Sequence, residues 1–160
     1  HPHEPELVLA KANRRILADT HGGLFINVFY AVLDATSGEI KYCNAGHNPP
    51  FVFSPGQDGT HLELSRTGMP LGILPEEAWE QGRVSLDAGS LLVGYTDGIT
   101  ENHNEAMEFF GEEQLAAVVE VNLNQPAKKL LESVLETVQD FSGSRPPGDD
   151  MTLLVVKRGE

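Results

Sequence analysis

The 160 residues hold one cysteine, one tryptophan and only 11 basic side chains against 24 acidic ones, for a formal net charge of −13. Each scarcity excludes something. A lone thiol, Cys43, closes no disulfide within the chain and builds no cysteine-rich zinc site, which fits a reducing compartment. Duplex binding replaces phosphate counterions with clustered Lys and Arg. With neither a basic excess nor a basic run, nucleic acid is not an expected partner, and an anionic membrane surface is disfavoured for the same reason. No apolar run approaches the roughly 18 to 20 residues that span a bilayer. The start, His1-Pro2-His3-Glu4-Pro5, lacks the cationic, apolar and small-residue order of a secretory signal, so a soluble, cytoplasmic protein is expected. An initiator Met is also lacking, which leaves open that the chain is a piece of a longer one.

What remains is the composition of an ordinary globular domain: 40% hydrophobic residues and 16 glycines, at a length suited to one domain. The pattern predicts a helix over Pro5 to Asp19, with Leu7, Ala10, Ile16 and Leu17 on its apolar stripe, ended by His21-Gly22-Gly23. Leu24 to Leu33 is almost continuously apolar, as for a strand covered on both faces. Hairpin strands are expected at Glu39 to Asn44, Phe51 to Ser54, His61 to Ser65, Gly82 to Leu86 and Ser90 to Tyr95, with Pro55-Gly56-Gln57-Asp58-Gly59 as one of the turns. Helices follow at Glu112 to Val121 and Pro126 to Phe141, then a final strand at Met151 to Val156. Hairpins punctuated by helices argue for an α+β class with mainly antiparallel sheet.

Chemistry is suggested by acidic strand ends: Asp97 just after one apolar strand, and Asp149-Asp150 just before another. Carboxylates so placed converge without relying on flexible side chains. Hard cations such as Mg²⁺ and Mn²⁺ take oxygen ligands, and Mg²⁺ keeps several waters beside one or two carboxylates. Such a site suits phosphate-ester hydrolysis, with a water activated by metals about 3.5 to 4 Å apart. Asp-Gly is equally a common turn pair, and Asp before a strand a common loop cap, so either motif alone also reads as structural. Glu101, four residues after Asp97, either joins the site or is a solvated surface acid. His47, in a Gly- and Pro-rich turn, reads as a rigidly held base or, better supported, as a turn residue bonded to backbone. No Gly-x-Ser-x-Gly elbow and no Gly-rich phosphate loop is present.

Six segments in order carry a resemblance: Phe25-Ile26-Asn27-Val28-Phe29-Tyr30, Asn44-Ala45-Gly46-His47-Asn48-Pro49-Pro50, Gly68-Met69-Pro70-Leu71-Gly72, Tyr95-Thr96-Asp97-Gly98-Ile99-Thr100-Glu101, Phe110-Gly111-Glu112-Glu113 and Asp149-Asp150-Met151-Thr152-Leu153-Leu154. Together they closely resemble the bacterial RsbU and SpoIIE branch of the metal-dependent (PPM, protein phosphatase 2C-like) Ser/Thr phosphatases. The resemblance implies a four-layer αββα sandwich of antiparallel sheets flanked by helices, and two Mn²⁺ or Mg²⁺ ions whose bound water, rather than a side chain, is the nucleophile. It implies Asp97 and Asp149 as metal ligands, with Gly98, Glu101, Asp150 and His47 as further metal or supporting positions. The Asp-x-x-Gly-His-Gly motif that precedes the first helix in relatives is missing, so residues 1–160 are expected to be the C-terminal portion of a single phosphatase domain, impaired on its own.

The expected function is hydrolysis of phosphoserine or phosphothreonine on a regulatory protein of the anti-anti-sigma (STAS) type, in signal transduction, with a sensor or receiver domain upstream. Exposed sheet edges would favour association, which leaves a homodimer open. The alternative reading is a non-catalytic pseudophosphatase that keeps the fold and binds a regulator.

Overall fold

A computed structural model describes residues 3–20, 23–56, 60–145 and 148–159. The expected terminator His21-Gly22 and the turn residues Gln57-Asp58-Gly59 lie outside the described residues. The chain forms two compact units, His1–Pro49 with Leu64–Leu86 and Pro50–Glu63 with Asp87–Glu160. Among the described residues no helix is long and apolar enough to cross a membrane.

In the first unit, helix α1 (Pro5–Thr20) accompanies a sheet of order β1 (Val28–Leu33), β2 (Glu39–Ala45), β5 (Gly82–Ser85), with both pairings antiparallel. The β1–β2 hairpin closes because Asp34 Oδ1 accepts the N–H groups of Thr36 and Ser37, at 2.8 and 3.0 Å, and Gly38 takes a left-handed φ of 84° that other residues resist. Leu9, Cys43, Ala45, Leu71 and Trp79 form the core of this unit.

Two expectations for this unit are corrected. The fully buried residues of α1 are Pro5, Leu9 and Asn13; of the expected stripe, Ala10 and Ile16 pack partly buried against the core, whereas Leu7 is exposed. Asn13 belongs to the core because both ends of its amide are used: Nδ2 donates to the Leu74 carbonyl at 2.8 Å and Oδ1 accepts the Gly72 N–H at 2.7 Å. A polar residue that is fully satisfied takes a core place that apolar counting assigns elsewhere. The second correction concerns Leu24 to Leu33. Its strand begins only at Val28 and lies at a sheet edge, and Leu24 and Phe25 are 65% and 62% exposed rather than covered.

The second unit carries an antiparallel sheet of order β4 (His61–Glu63), β3 (Phe51–Phe53), β6 (Leu91–Tyr95), β7 (Leu153–Lys157), together with α2 (Asp97–Thr100), α3 (Gly111–Val121) and α4 (Ala127–Ser142). Alternation along β3 and β6 sends Phe51, Phe53, Leu91, Val93 and Tyr95 into one core with Leu115 and Val119 of α3 and Leu130, Val134 and Val138 of α4. Val52 and Leu92, on the opposite face, are buried as well. The last strand starts at Leu153 rather than Met151, which leaves Asp149 to Thr152 as its approach.

Two outcomes are expected. Leu130→Ala opens a cavity in the second core and costs about 2 to 5 kcal/mol by urea unfolding, while Val121→Ala, at an exposed helix end, stays within about 0.5 kcal/mol. Burial pushes the Cys43 thiol up to about 11, so at pH 8 it is protonated in the folded protein. Iodoacetamide should label it only after denaturation; rapid labelling of the native chain would show that the thiol is not buried as described.

Candidate metal centre

β6 delivers its last residue, Tyr95, into the core, where its hydroxyl donates to Glu112 Oε1 at 2.8 Å. Burial first, and this bond second, hold the phenol well above its ordinary pKa, so it remains a neutral donor. The next residue, Thr96, binds the entry to β7 three ways. Its N–H donates to the Thr152 carbonyl at 3.1 Å, its hydroxyl oxygen accepts the Thr152 N–H at 2.9 Å, and its hydroxyl donates to the Asp150 carbonyl at 3.1 Å.

Gly98 makes the approach possible. A Cβ at that position would collide with the Asp150 carbonyl oxygen, and would lie 2.8 Å from the Asp150 carbonyl carbon and 3.2 Å from the Asp149 oxygen. The Thr96-Asp97-Gly98 turn and the Asp149-Asp150 segment therefore abut backbone to backbone. Here the glycine serves closeness rather than a positive φ.

Both carboxylates are braced locally. Asp97 Oδ1 accepts the Gly98 N–H at 3.0 Å, and Asp149 Oδ1 accepts the Asp150 N–H at 2.7 Å. Asp97, Asp149, Asp150 and Glu101 are all exposed, so these charges stand in water. Glu101 ends α2, its N–H bonded to the Asp97 carbonyl at 2.7 Å, and so stays on the same short segment. Among the described residues, no three His, Cys, Asp or Glu side chains gather as a cation cage. The donor set of two exposed carboxylates on abutting segments fits a hard cation that keeps most of its water, and does not by itself enclose one.

His47 belongs to the first unit. Its N–H donates to Asn44 Oδ1 at 2.9 Å and its Nδ1 lies 2.8 Å from the Asn48 carbonyl. Since a carbonyl only accepts, Nδ1 carries a proton in this contact. Asn44 organises the turn: its own N–H donates to Thr67 Oγ1 at 2.9 Å and its Nδ2 donates to the Leu64 carbonyl at 3.0 Å. Nothing in the sequence marked a further residue beside the acidic ridge, Asn102. It is buried, accepts a hydrogen bond from the Ser142 hydroxyl, and thereby joins the end of α2 to the end of α4.

A family model for stage II sporulation protein E (SpoIIE) matches residues 1–159. The chain belongs to the SpoIIE family. Within it the chain falls in the RsbU/SpoIIE branch of the PP2C-like phosphatases: it is 29% identical to phosphoserine phosphatase RsbU of Bacillus subtilis over 157 residues, 96% of this chain and 45% of RsbU. The SiaA-PP2C domain of Pseudomonas aeruginosa superposes with a TM-score of 0.83 over 97% of this chain and 61% of that one, at 18% identity. The manganese-presoaked phosphatase domain of B. subtilis SpoIIE gives 0.68 over 97% of this chain and 66% of that one, at 22% identity. At such identities the two structures speak for the fold, and it is the antiparallel α+β fold expected from the sequence. The chain spans less than half the length of the curated relatives it matches.

The geometry separates shape from charge. Gly98→Ala and Thr96→Val should each destabilise the protein by about 1 to 3 kcal/mol in chelator-treated buffer, through overpacking and lost hydrogen bonds respectively. Asp97→Asn, at an exposed position, should stay within about 0.5 kcal/mol. Equal effects in all three, read by urea unfolding, would contradict a backbone-built ridge.

Proposed function

We propose that residues 1–160 are the C-terminal portion of a single Mn²⁺- or Mg²⁺-dependent phosphatase domain that hydrolyses phosphoserine or phosphothreonine on a regulatory protein of the anti-anti-sigma type. The observation that carries the reading is the abutment of Thr96-Asp97-Gly98 on Asp149-Asp150. Asp97 and Asp149 are the ligands this chain contributes, and Asp150 and Glu101 stand close in sequence as further oxygen donors. When bound, divalent cations activate water for attack on phosphorus and offset the charge of the phosphoryl oxygens.

The remaining work belongs to the chain itself. Thr96 and Gly98 set the spacing of the two carboxylate-bearing segments before any cation arrives, so little reorganisation accompanies binding. Exposure of the ridge suits a phosphoryl group carried on the surface of another folded protein, which a deep pocket would exclude. An upstream sensor or receiver domain fits a chain that spans under half of its curated relatives. The specific support for a non-catalytic module is that the described residues gather only a partial ligand set.

In the complete protein with Mn²⁺, Asp97→Asn and Asp149→Asn should each lower phosphatase turnover by at least about 100-fold. Near-normal turnover in both variants would remove the assignment. Mn²⁺ should also raise the melting temperature of the wild-type protein, by the equivalent of about 2.7 kcal/mol at 100 times its dissociation constant, and not that of the doubly substituted protein. Metal-dependent stabilisation without turnover would favour the non-catalytic reading.

A further inference from the structure

A cavity of about 330 Å³ opens in the second unit beside the acidic ridge. Leu135 and Val138 of α4, with Met151, give it an aliphatic wall, and Asn102 and Arg145 bring donors to it. Its connection to the ridge is direct: Asn102 follows Glu101 in the chain, and Met151 follows Asp150.

Both donors are held by weak acceptors. Asn102 is 5% exposed, and while its Oδ1 is taken by the Ser142 hydroxyl, its Nδ2 donates to Met151 Sδ at 3.5 Å. A thioether is a weak acceptor and an amide nitrogen carries two N–H groups, so an oxygen entering the cavity finds a donor ready. Arg145 points its Nη1 at Met107 Sδ, 3.2 Å away, and forms no ion pair among the described residues although the chain has 24 carboxylate side chains.

Met107 is itself placed at a cost. It takes a left-handed φ of 65°, unusual for a residue with a Cβ, at the tip of a hairpin closed by the Phe110 N–H on the Asn102 carbonyl at 2.7 Å. Asn104 Oδ1 stabilises that tip by accepting the N–H groups of Ala106 and Glu108, at 2.9 and 3.1 Å. This tip carries the sulfur that stands against the Arg145 guanidinium.

We propose that this cavity is a substrate subsite, which takes one side chain flanking the phosphorylated residue of the protein substrate. That side chain has an aliphatic stem and an oxygen at its end, glutamate or glutamine. The stem lies against Leu135 and Val138, and the terminal oxygen replaces the two sulfurs as acceptor for Asn102 Nδ2 and Arg145. A lysine there would be opposed by the Arg145 charge. The proposal rests on the phosphatase reading and adds to it the chemistry of recognition.

The test uses the complete protein with Mn²⁺ and a set of phosphoserine peptides that carry Glu, Gln, Leu or Lys in turn at each of the positions flanking the phosphoserine. Para-nitrophenyl phosphate serves as a probe with no flank. At one position kcat/KM should be at least tenfold higher for Glu or Gln than for Lys, with the difference in KM. Arg145→Ala, at an exposed site, should erase most of the preference for Glu and leave para-nitrophenyl phosphate turnover unchanged. Equal kcat/KM across all peptides, or an Arg145→Ala variant that slows peptides and para-nitrophenyl phosphate alike, would overturn the subsite. Failure of the wild-type protein to hydrolyse either probe would instead overturn the phosphatase reading, and the subsite with it.

Discussion

The contact that places the second unit's two acidic segments is made by backbone: the turn after β6 meets the approach to β7 with only a hydrogen atom of Gly98 between them. Thr96 bonds across this contact with its N–H and, twice, with its hydroxyl. A methyl group at position 98, or the loss of one hydroxyl, disturbs the relation of Asp97 to Asp149 without touching either carboxylate. The geometry of the ridge thus resides in residues that carry no charge and perform no chemistry.

That contact is held in turn by the core beneath it. β6 and β7 pair in register from Leu91 with Lys157 to Tyr95 with Leu153, so the two acidic segments emerge from neighbouring strands at the same end of one sheet. The sheet is fixed by α3 and α4 through Leu115, Val119, Leu130, Val134 and Val138, and the Tyr95 hydroxyl ties the end of β6 to the first turn of α3 at Glu112. The buried Asn102 and Ser142 pair continues the same bracing beyond α2. Sequence, sheet register and core packing all bear on where two exposed aspartates stand.

The legible parts of this arrangement were those with a short-range physical signature. Alternating or continuous apolar runs located most strands, the stripe Leu130, Leu131, Val134, Leu135 and Val138 located α4 although Leu135 is exposed, and acids placed at strand ends pointed to the ridge. What stayed hidden depends on contacts distant in sequence. Asn13 entered the first core because Gly72 and Leu74 satisfy its amide, a partnership across about 60 residues that no local pattern records. Leu24 and Phe25 carry the signature of two-sided burial and are exposed, since hydrophobicity describes a residue's preference and not whether a neighbour is present. Asn102 was silent for the same reason as Asn13, and Gly98 was visible as half of an Asp-Gly turn and, by resemblance, as a position supporting the metal site, not as the residue that lets two backbones touch.

The exposure of the carboxylates has an energetic consequence. Two like charges about 4 Å apart repel by about 1 kcal/mol in water but by several times that at the effective dielectric of a protein interior. A ridge in solvent therefore tolerates Asp97 and Asp149 with no cation present, which a buried pair would not without neutralising one member. One oxygen of each carboxylate accepts a backbone N–H, from Gly98 and from Asp150. Stability and charge are consequently divided between neighbours in the chain: Thr96 and Gly98 hold the fold, and Asp97 holds the charge. Substitutions can separate the two because the fold is paid for by backbone bonds, not by the charges it positions.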